Sequence, residues 1–328
     1  MVVIGHSTYL DINTYFGGIH YATLMQTNEV SFSIFFKLAN ILTGFIYTFH
    51  MPVFIALSGS IFALKEYSFG KLISKKWKRL LIPFFVVWIF WNLPIKYFTG
   101  YYVNVSATGM IKQMIFPSGV YLWYLECLFF VFILAYWIRK FRVNYQIIIV
   151  TLSYLVGLYF YTKYGDYHFL GDPLYYLFWF YAGFRLKDLV GAFKIMNLWN
   201  TGTAIALFIF HVLVFIIGCG LHIKLLQAFS MYLLGPFSMI LILNYAAKRI
   251  NLTSKYVKTA SDYSLGIYLY AEPINYLLLY LFCTYAGINY FGTETGSIVI
   301  YFSRIIVSVT VAIIITALLR KLKLTYLH

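Results

Sequence analysis

Long apolar runs separated by short polar connections occupy almost the whole chain. A helix that crosses a membrane needs about 20 mostly apolar residues. The pattern therefore predicts an all-α, polytopic membrane protein that forms a single domain over residues 1–328. Ten spans are expected, an even number that puts both termini on the same side. They lie near 1–10, 43–64, 80–98, 119–138, 145–162, 173–188, 202–218, 227–246, 264–285 and 297–319.

Composition and charge support this interpretation and set the orientation. The chain is 62% hydrophobic and 11% charged, whereas soluble domains carry about 25% charged residues. Basic residues concentrate in alternate connections, such as 65–79, 139–142 and 248–258. Cytoplasmic loops are enriched in Lys and Arg, so these connections and both termini are predicted to be cytoplasmic. The net charge of +15 then reflects topology, and no nucleic-acid partner is expected.

The first span is anomalous because ten helical residues reach only about 15 Å, half of the hydrocarbon core. Either translation starts upstream of Met1 or this helix is a half-span packed against its neighbours, and the upstream start is favoured. Three scattered cysteines without CxxC spacing predict neither a disulfide framework nor a metal site. These cysteines are Cys127, Cys219 and Cys283.

Several ionisable side chains fall inside the apolar spans, where such groups are costly and usually functional. Four are predicted at a similar depth toward the outer face: His6, His50, Glu126 and Arg304. The alternative is that they satisfy one another between helices with no chemical role. Glu272 is a deeper candidate, but it precedes Pro273, which makes a helix kink its more economical explanation.

A dense basic run follows the Ser58-Gly59 break and leads into Pro83. Apolar residues recur through it at helical spacing, which predicts an amphipathic cytoplasmic helix. An anchor to lipid headgroups is sufficient to explain it. Docking of a phosphorylated cytoplasmic donor is the sharper alternative. The basic residues in question are Lys75, Lys76, Lys78 and Arg79.

Two segments in fixed order, FHMPVFIALSG (49–59) and KKWKRLLIP (75–83), resemble acyltransferase family 3. This family comprises multipass membrane enzymes that O-acylate bacterial surface polysaccharides. The FHMP form is similar to the branch that includes fucose 4-O-acetylases. Weaker matches are VVIGHS (2–7), LWYLECLF (122–129) and YSLGIYLY (263–270).

The resemblance implies that His6 is the catalytic histidine of the first helix and that the basic run lies near acyl-CoA. Two departures stand out. The family usually has an arginine about eleven residues before its histidine, a position that here precedes Met1. It often has a histidine where this chain has Ala271.

The resulting expectation is an O-acetyltransferase of the bacterial cytoplasmic membrane that moves acetyl, or another small acyl group, from cytoplasmic acyl-CoA to a sugar hydroxyl. Its partners would be acyl-CoA, a saccharide or lipid-linked saccharide and membrane lipids, with no permanently bound cofactor. His6 would be the base, Glu126 would fix a histidine tautomer, and His50 would orient the acceptor or line the site. The basic run would hold the CoA phosphates. The predicted acceptor-binding residues are Ser58, Trp123 and Arg304. The main alternative is a polysaccharide exporter or flippase that performs no acyl transfer.

Overall fold

The computed structural model describes residues 1–14, 17–103, 105–115, 121–163, 168–195, 201–247, 249 and 254–324. These residues are mostly helical, which confirms the all-α prediction. One short antiparallel pair joins β1 (Asp11–Thr14) to β2 (Gly17–His20). The α-helices are α1 (Val2–His6), α2 (Tyr21–Thr27), α3 (Ile34–Tyr47), α4 (His50–Phe62), α5 (Phe69–Lys76), α6 (Ile82–Val87), α7 (Leu93–Phe98), α8 (Ala107–Ile115), α9 (Trp123–Ile138), α10 (Val143–Lys163), α11 (His168–Phe184), α12 (Leu186–Ile195), α13 (Thr201–Gly220), α14 (Lys224–Phe229), α15 (Gly235–Ala247), α16 (Lys255–Tyr285), α17 (Ile288–Gly292) and α18 (Glu294–Lys321).

Seven helical segments of the described chain are long and apolar enough to cross a membrane, so the protein is a multi-pass membrane protein. They are Ile34–Phe62, Phe69–Phe98, Val143–Phe160, Gly202–Gly220, Lys224–Ala247, Lys255–Tyr285 and Glu294–Lys321. Two other predicted spans correspond to α9 and α11, which have 16 and 17 residues. The first corresponds to α1, which has only five. The total of ten spans and the cytoplasmic termini stay predictions.

Prolines explain the irregular turns of the long helices. Proline has no N–H and its ring clashes with the carbonyl four residues earlier, so the preceding turn cannot close normally. In three places within the described residues the turn widens into a π-helical segment that ends two residues before a proline. These segments are Trp77–Leu81 before Pro83, Trp88–Asn92 before Pro94, and Ser230–Leu234 before Pro236.

Two glycines let α4 and α11 touch along their backbones. A Cβ atom at Gly183 would overlap the carbonyl oxygen of Ala56, and one at Gly59 would overlap that of Phe180. Small residues at such crossings permit close helix packing in membranes. The contact fixes α4, which begins at His50, against α11.

A cap of irregular structure covers one end of the helical bundle. Leu10, Met25 from α2, and Tyr101 and Tyr102 from the turn after α7 form an apolar cluster with Tyr276 of α16. The predicted loop 11–42 is therefore partly folded. Within it, α3 starts at Ile34 instead of 43, because the Ser33 hydroxyl caps the helix by accepting the Phe36 N–H at 3.1 Å.

Candidate active site

A cavity of about 350 Å³ lies between helices α1, α4, α9, α11 and α16. Its walls carry His6, His50, Trp123 and Asp172, and eight of its sixteen lining residues are tyrosines. Ligand sites of this kind combine aromatic surface with a few polar groups that fix orientation. The predicted residues His6, His50 and Trp123 therefore meet at one cavity, although they come from three different helices or their ends.

His6 makes the most informative contact in the cavity wall. Its Nδ1 lies 2.5 Å from Oε1 of Glu272, a residue that is only 4% exposed. An ionised carboxylate can only accept, so we assign the proton of this hydrogen bond to Nδ1. In the neutral imidazole Nε2 then carries the free lone pair. The His6 side chain is 18% exposed, so this base remains accessible from the cavity.

Pro273 shapes the helix that presents Glu272. Because Pro273 lacks an N–H, the carbonyl of Leu269 loses its helical partner. The Tyr121 hydroxyl donates to this carbonyl at 2.5 Å, and the Trp91 indole donates to the next carbonyl, that of Tyr270, at 3.1 Å. Side chains thus satisfy the backbone around Pro273, and the carboxylate beside it contacts the predicted base.

His50 lies in the same wall and is 3% exposed. Its Nδ1 lies 3.2 Å from the carbonyl oxygen of Ile46, which can only accept, so Nδ1 is the donor. Tyr47 links the two histidines: its ring centroid lies 4.5 Å from that of His50 and 6.1 Å from that of His6. A neutral His50 therefore leaves Nε2 as an acceptor.

The other predicted site residues are distributed differently. Trp123 lines the cavity, with its ring 5.4 Å from Tyr176. Glu126, one turn further along α9, is partly buried and is not among the described lining residues. The carboxylate at His6 therefore belongs to Glu272 and not to Glu126. Ser58 also lies off the cavity wall, and its hydroxyl donates to the carbonyl of Phe54 at 3.1 Å.

Arg304 is completely buried and is likewise absent from the described cavity wall. Its guanidinium donates hydrogen bonds to Asn275 and to backbone carbonyls that follow α1. The sequence predicts Arg304 and His6 at a similar depth in the membrane. In the structure, the Arg304 guanidinium contacts the backbone carbonyl of His6.

The basic run forms a surface apart from the cavity wall. Lys75, Lys78 and Arg79 are exposed, whereas Lys76 is partly buried with Nζ 3.3 Å from the centroid of the Phe132 ring. Phe132 belongs to α9, and two more cations, Arg139 and Lys140, directly follow that helix. Arg139 donates to the carbonyl of Tyr67, whose ring centroid lies 5.4 Å from Nζ of Lys75, so Arg139 lies near the basic run. Sequence reasoning did not assign these two residues to the donor site.

Sequence reasoning also missed Asp172, which is 2% exposed and lines the cavity. The hydrophobic pattern predicts a span that starts near residue 173, which leaves Asp172 in a loop. Its position directly before a proline at the head of an apolar run was the available signal. Among the described residues, no three His, Cys, Asp or Glu side chains come together as metal ligands would.

A comparison with protein families agrees with the family resemblance noted in the sequence. A protein-family model described as an acyltransferase domain, of acyltransferase family 3, matches residues 1–317. Neither the curated proteins nor the solved structures that were searched include a significant match.

Proposed function

The chain belongs to acyltransferase family 3, and we propose that it transfers an acetyl or other small acyl group from cytoplasmic acyl-CoA to a saccharide hydroxyl. The observation that supports this proposal best is the His6–Glu272 hydrogen bond in the wall of an aromatic cavity. A histidine oriented by a carboxylate is the arrangement that activates hydroxyl nucleophiles in acyl transfer.

In the proposed reaction, Nε2 of neutral His6 takes the proton of the acceptor hydroxyl. The hydroxyl oxygen attacks the thioester carbonyl, the C–S bond breaks, and the CoA thiolate leaves with the proton returned by the imidazolium. Glu272 keeps Nδ1 protonated and stabilises the imidazolium while it exists. General-base assistance of this kind contributes about 10²- to 10⁴-fold.

The acceptor would occupy the aromatic part of the cavity. Trp123 and Tyr176 are neighbouring aromatic residues of the cavity wall, and tyrosine hydroxyls can both donate to and accept from sugar hydroxyls. Nε2 of His50 would accept one hydroxyl hydrogen and so orient the ring. Surface polysaccharides or their lipid-linked precursors are the proposed acceptors, in the bacterial cytoplasmic membrane.

The donor would bind through its phosphates at the basic face. Lys75, Lys76, Lys78 and Arg79 belong to the connection predicted to be cytoplasmic, the compartment that holds acyl-CoA. Arg139 and Lys140 would add to the same surface. Cations on exposed sites attract phosphate groups with a strength that falls with ionic strength, so donor binding should weaken in salt. The acyl arm would then reach from this face into the bundle.

The experiment uses purified protein in lipid nanodiscs with acetyl-CoA and a panel of saccharides. We expect CoA release that depends on the saccharide, with O-acetylated product detected by mass spectrometry. His6→Ala should lower the rate at least 100-fold, whereas His20→Ala, at an exposed histidine, should leave it unchanged. An active His6→Ala variant would refute the base assignment. Saccharide transport without acetyl-CoA dependence would favour the exporter.

A further inference from the structure

α1 ends at His6, and the chain leaves the helix there. The last carbonyls of any α-helix lack intrahelical partners and need donors from elsewhere. The residue at the end of this helix is His6, so the placement of the proposed base depends on what binds those carbonyls.

Arg304 of α18 supplies the donors. Nη1 donates to the carbonyl of Ser7 at 2.8 Å and to that of Tyr9 at 2.9 Å, and Nη2 donates to the carbonyl of His6 at 3.2 Å. The side chain is 0% exposed. A cation at the C-terminal end of a helix also opposes the negative end of the helix dipole. Three hydrogen bonds therefore fix the backbone at and just after His6.

Asn275 holds Arg304 and α1 together from a third helix. Its Oδ1 accepts Nε–H of Arg304 at 2.6 Å, and its Nδ2 donates to the Ser7 hydroxyl at 2.7 Å. Asn275 follows Glu272 by three residues in α16, a spacing that puts both on one helix face. The same face thus binds the His6 side chain through Glu272 and the Ser7 side chain through Asn275.

We infer that Arg304, fixed by Asn275, is a positioning residue that sets the distance between His6 and Glu272 and so the aim of Nε2. This inference rests on the proposed function. It assigns Arg304 a role through the backbone of His6 and not through contact with the acceptor. Four of the five guanidinium N–H groups are already used within the protein.

Lysine is the informative substitution at this position. It preserves the charge but cannot reproduce the planar fork that reaches three carbonyls and one amide. A displacement of about 1 Å at a reacting group can cost about 100-fold in rate. Arg304→Lys should therefore lower kcat about 10- to 100-fold, while the KM values for acyl-CoA and saccharide stay within about twofold. An acceptor-binding arginine would instead raise the KM for the saccharide.

The matched control is Arg320→Lys, at an arginine of the same helix that donates to the carbonyl of Asp262. It should leave kcat and both KM values unchanged. Ser7→Ala is a milder second variant that removes the hydroxyl bonded to Asn275 and should lower kcat about 3- to 10-fold. It keeps the inference testable if Arg304→Lys does not fold. Wild-type kcat in both Arg304→Lys and Ser7→Ala would overturn the inference.

One readout does not depend on catalysis. Diethyl pyrocarbonate modifies accessible neutral imidazoles, and mass spectrometry can follow His6 with exposed His20 as an internal reference. We expect Arg304→Lys to change the His6 modification rate at least threefold and to leave the His20 rate unchanged. If wild-type protein transfers no acyl group, the proposed function fails while this readout still tests Arg304. An unchanged His6 rate would contradict the positioning role.

Discussion

Replacing Glu272 with glutamine tests the proposed chemistry most directly, because the two side chains have nearly the same shape and differ in charge. The wild-type carboxylate accepts the His6 Nδ1 hydrogen at 2.5 Å and is almost completely buried. Glutamine can present either an amide oxygen or an NH₂ group to Nδ1. The second orientation would force the imidazole into the tautomer whose Nε2 carries a proton and cannot act as a base.

The size of the effect follows from two contributions. A hydrogen bond to a charged group is worth about 1.5–3 kcal/mol, and about 1.4 kcal/mol corresponds to a factor of ten in rate. Loss of the charge alone should then lower kcat roughly 10- to 150-fold. The equivalent change in serine hydrolase triads, where the tautomer is also wrong, lowers kcat about 10⁴-fold. We therefore expect Glu272→Gln to lower kcat by a factor between about 10 and 10⁴.

The assay is saccharide-dependent release of CoA thiol by protein in nanodiscs, with thermal unfolding measured in parallel. Glu66→Gln, at an exposed residue between α4 and α5, is the control and should retain wild-type turnover. Glu126→Gln tests the carboxylate that the sequence put forward. A folded Glu272→Gln protein with kcat within threefold of wild type would refute the reasoning, and a larger loss in Glu126→Gln would transfer the role to that residue.

Three further predictions concern other parts of the molecule. Lys75→Gln combined with Arg79→Gln should raise the KM for acetyl-CoA about 3- to 10-fold at low salt and less at high salt. An unchanged KM would instead support the interpretation of the basic run as an anchor to lipid headgroups. Trp123→Ala should raise the KM for the saccharide about 10-fold with the acetyl-CoA KM unchanged, since it removes an aromatic wall of the cavity; the opposite pattern would place the donor there. Gly183→Ala should destabilise the protein by about 1–3 kcal/mol through overpacking against α4, measured by thermal unfolding, whereas Gly70→Ala, where a Cβ meets nothing within 4 Å, should not.

Hydrophobic pattern alone was enough to predict the membrane class, the helical fold and the approximate place of most spans. These properties follow from the solvent, because lipid demands about 20 apolar residues and internal backbone hydrogen bonds. The pattern could not show that α3 begins at Ile34 or that residues near Tyr101 fold into a cap, since both depend on contacts between distant segments.

Only part of the candidate site could be predicted, because its contacts also join distant segments of the chain. His6, His50 and Trp123 were identified as unusual or motif residues, and the structure brings them to one cavity. For Glu272 the sequence favours a structural role at a helix kink, because the neighbouring Pro273 is a sufficient local explanation of a polar residue there. Its pairing with His6 spans 266 residues of sequence, and a single sequence carries no signal for a contact of that range.

That separation has a consequence for how the protein is made. His6 is synthesised 266 residues before Glu272 and 298 residues before Arg304, the two residues whose side chains hold it. At a synthesis rate of roughly 5–20 residues per second, Glu272 is added to the chain about 13 to 53 s after His6. A nascent or prematurely terminated chain can insert most of its helices but cannot form the His6–Glu272 hydrogen bond. The contacts that hold His6 are therefore complete only after synthesis and insertion of α18.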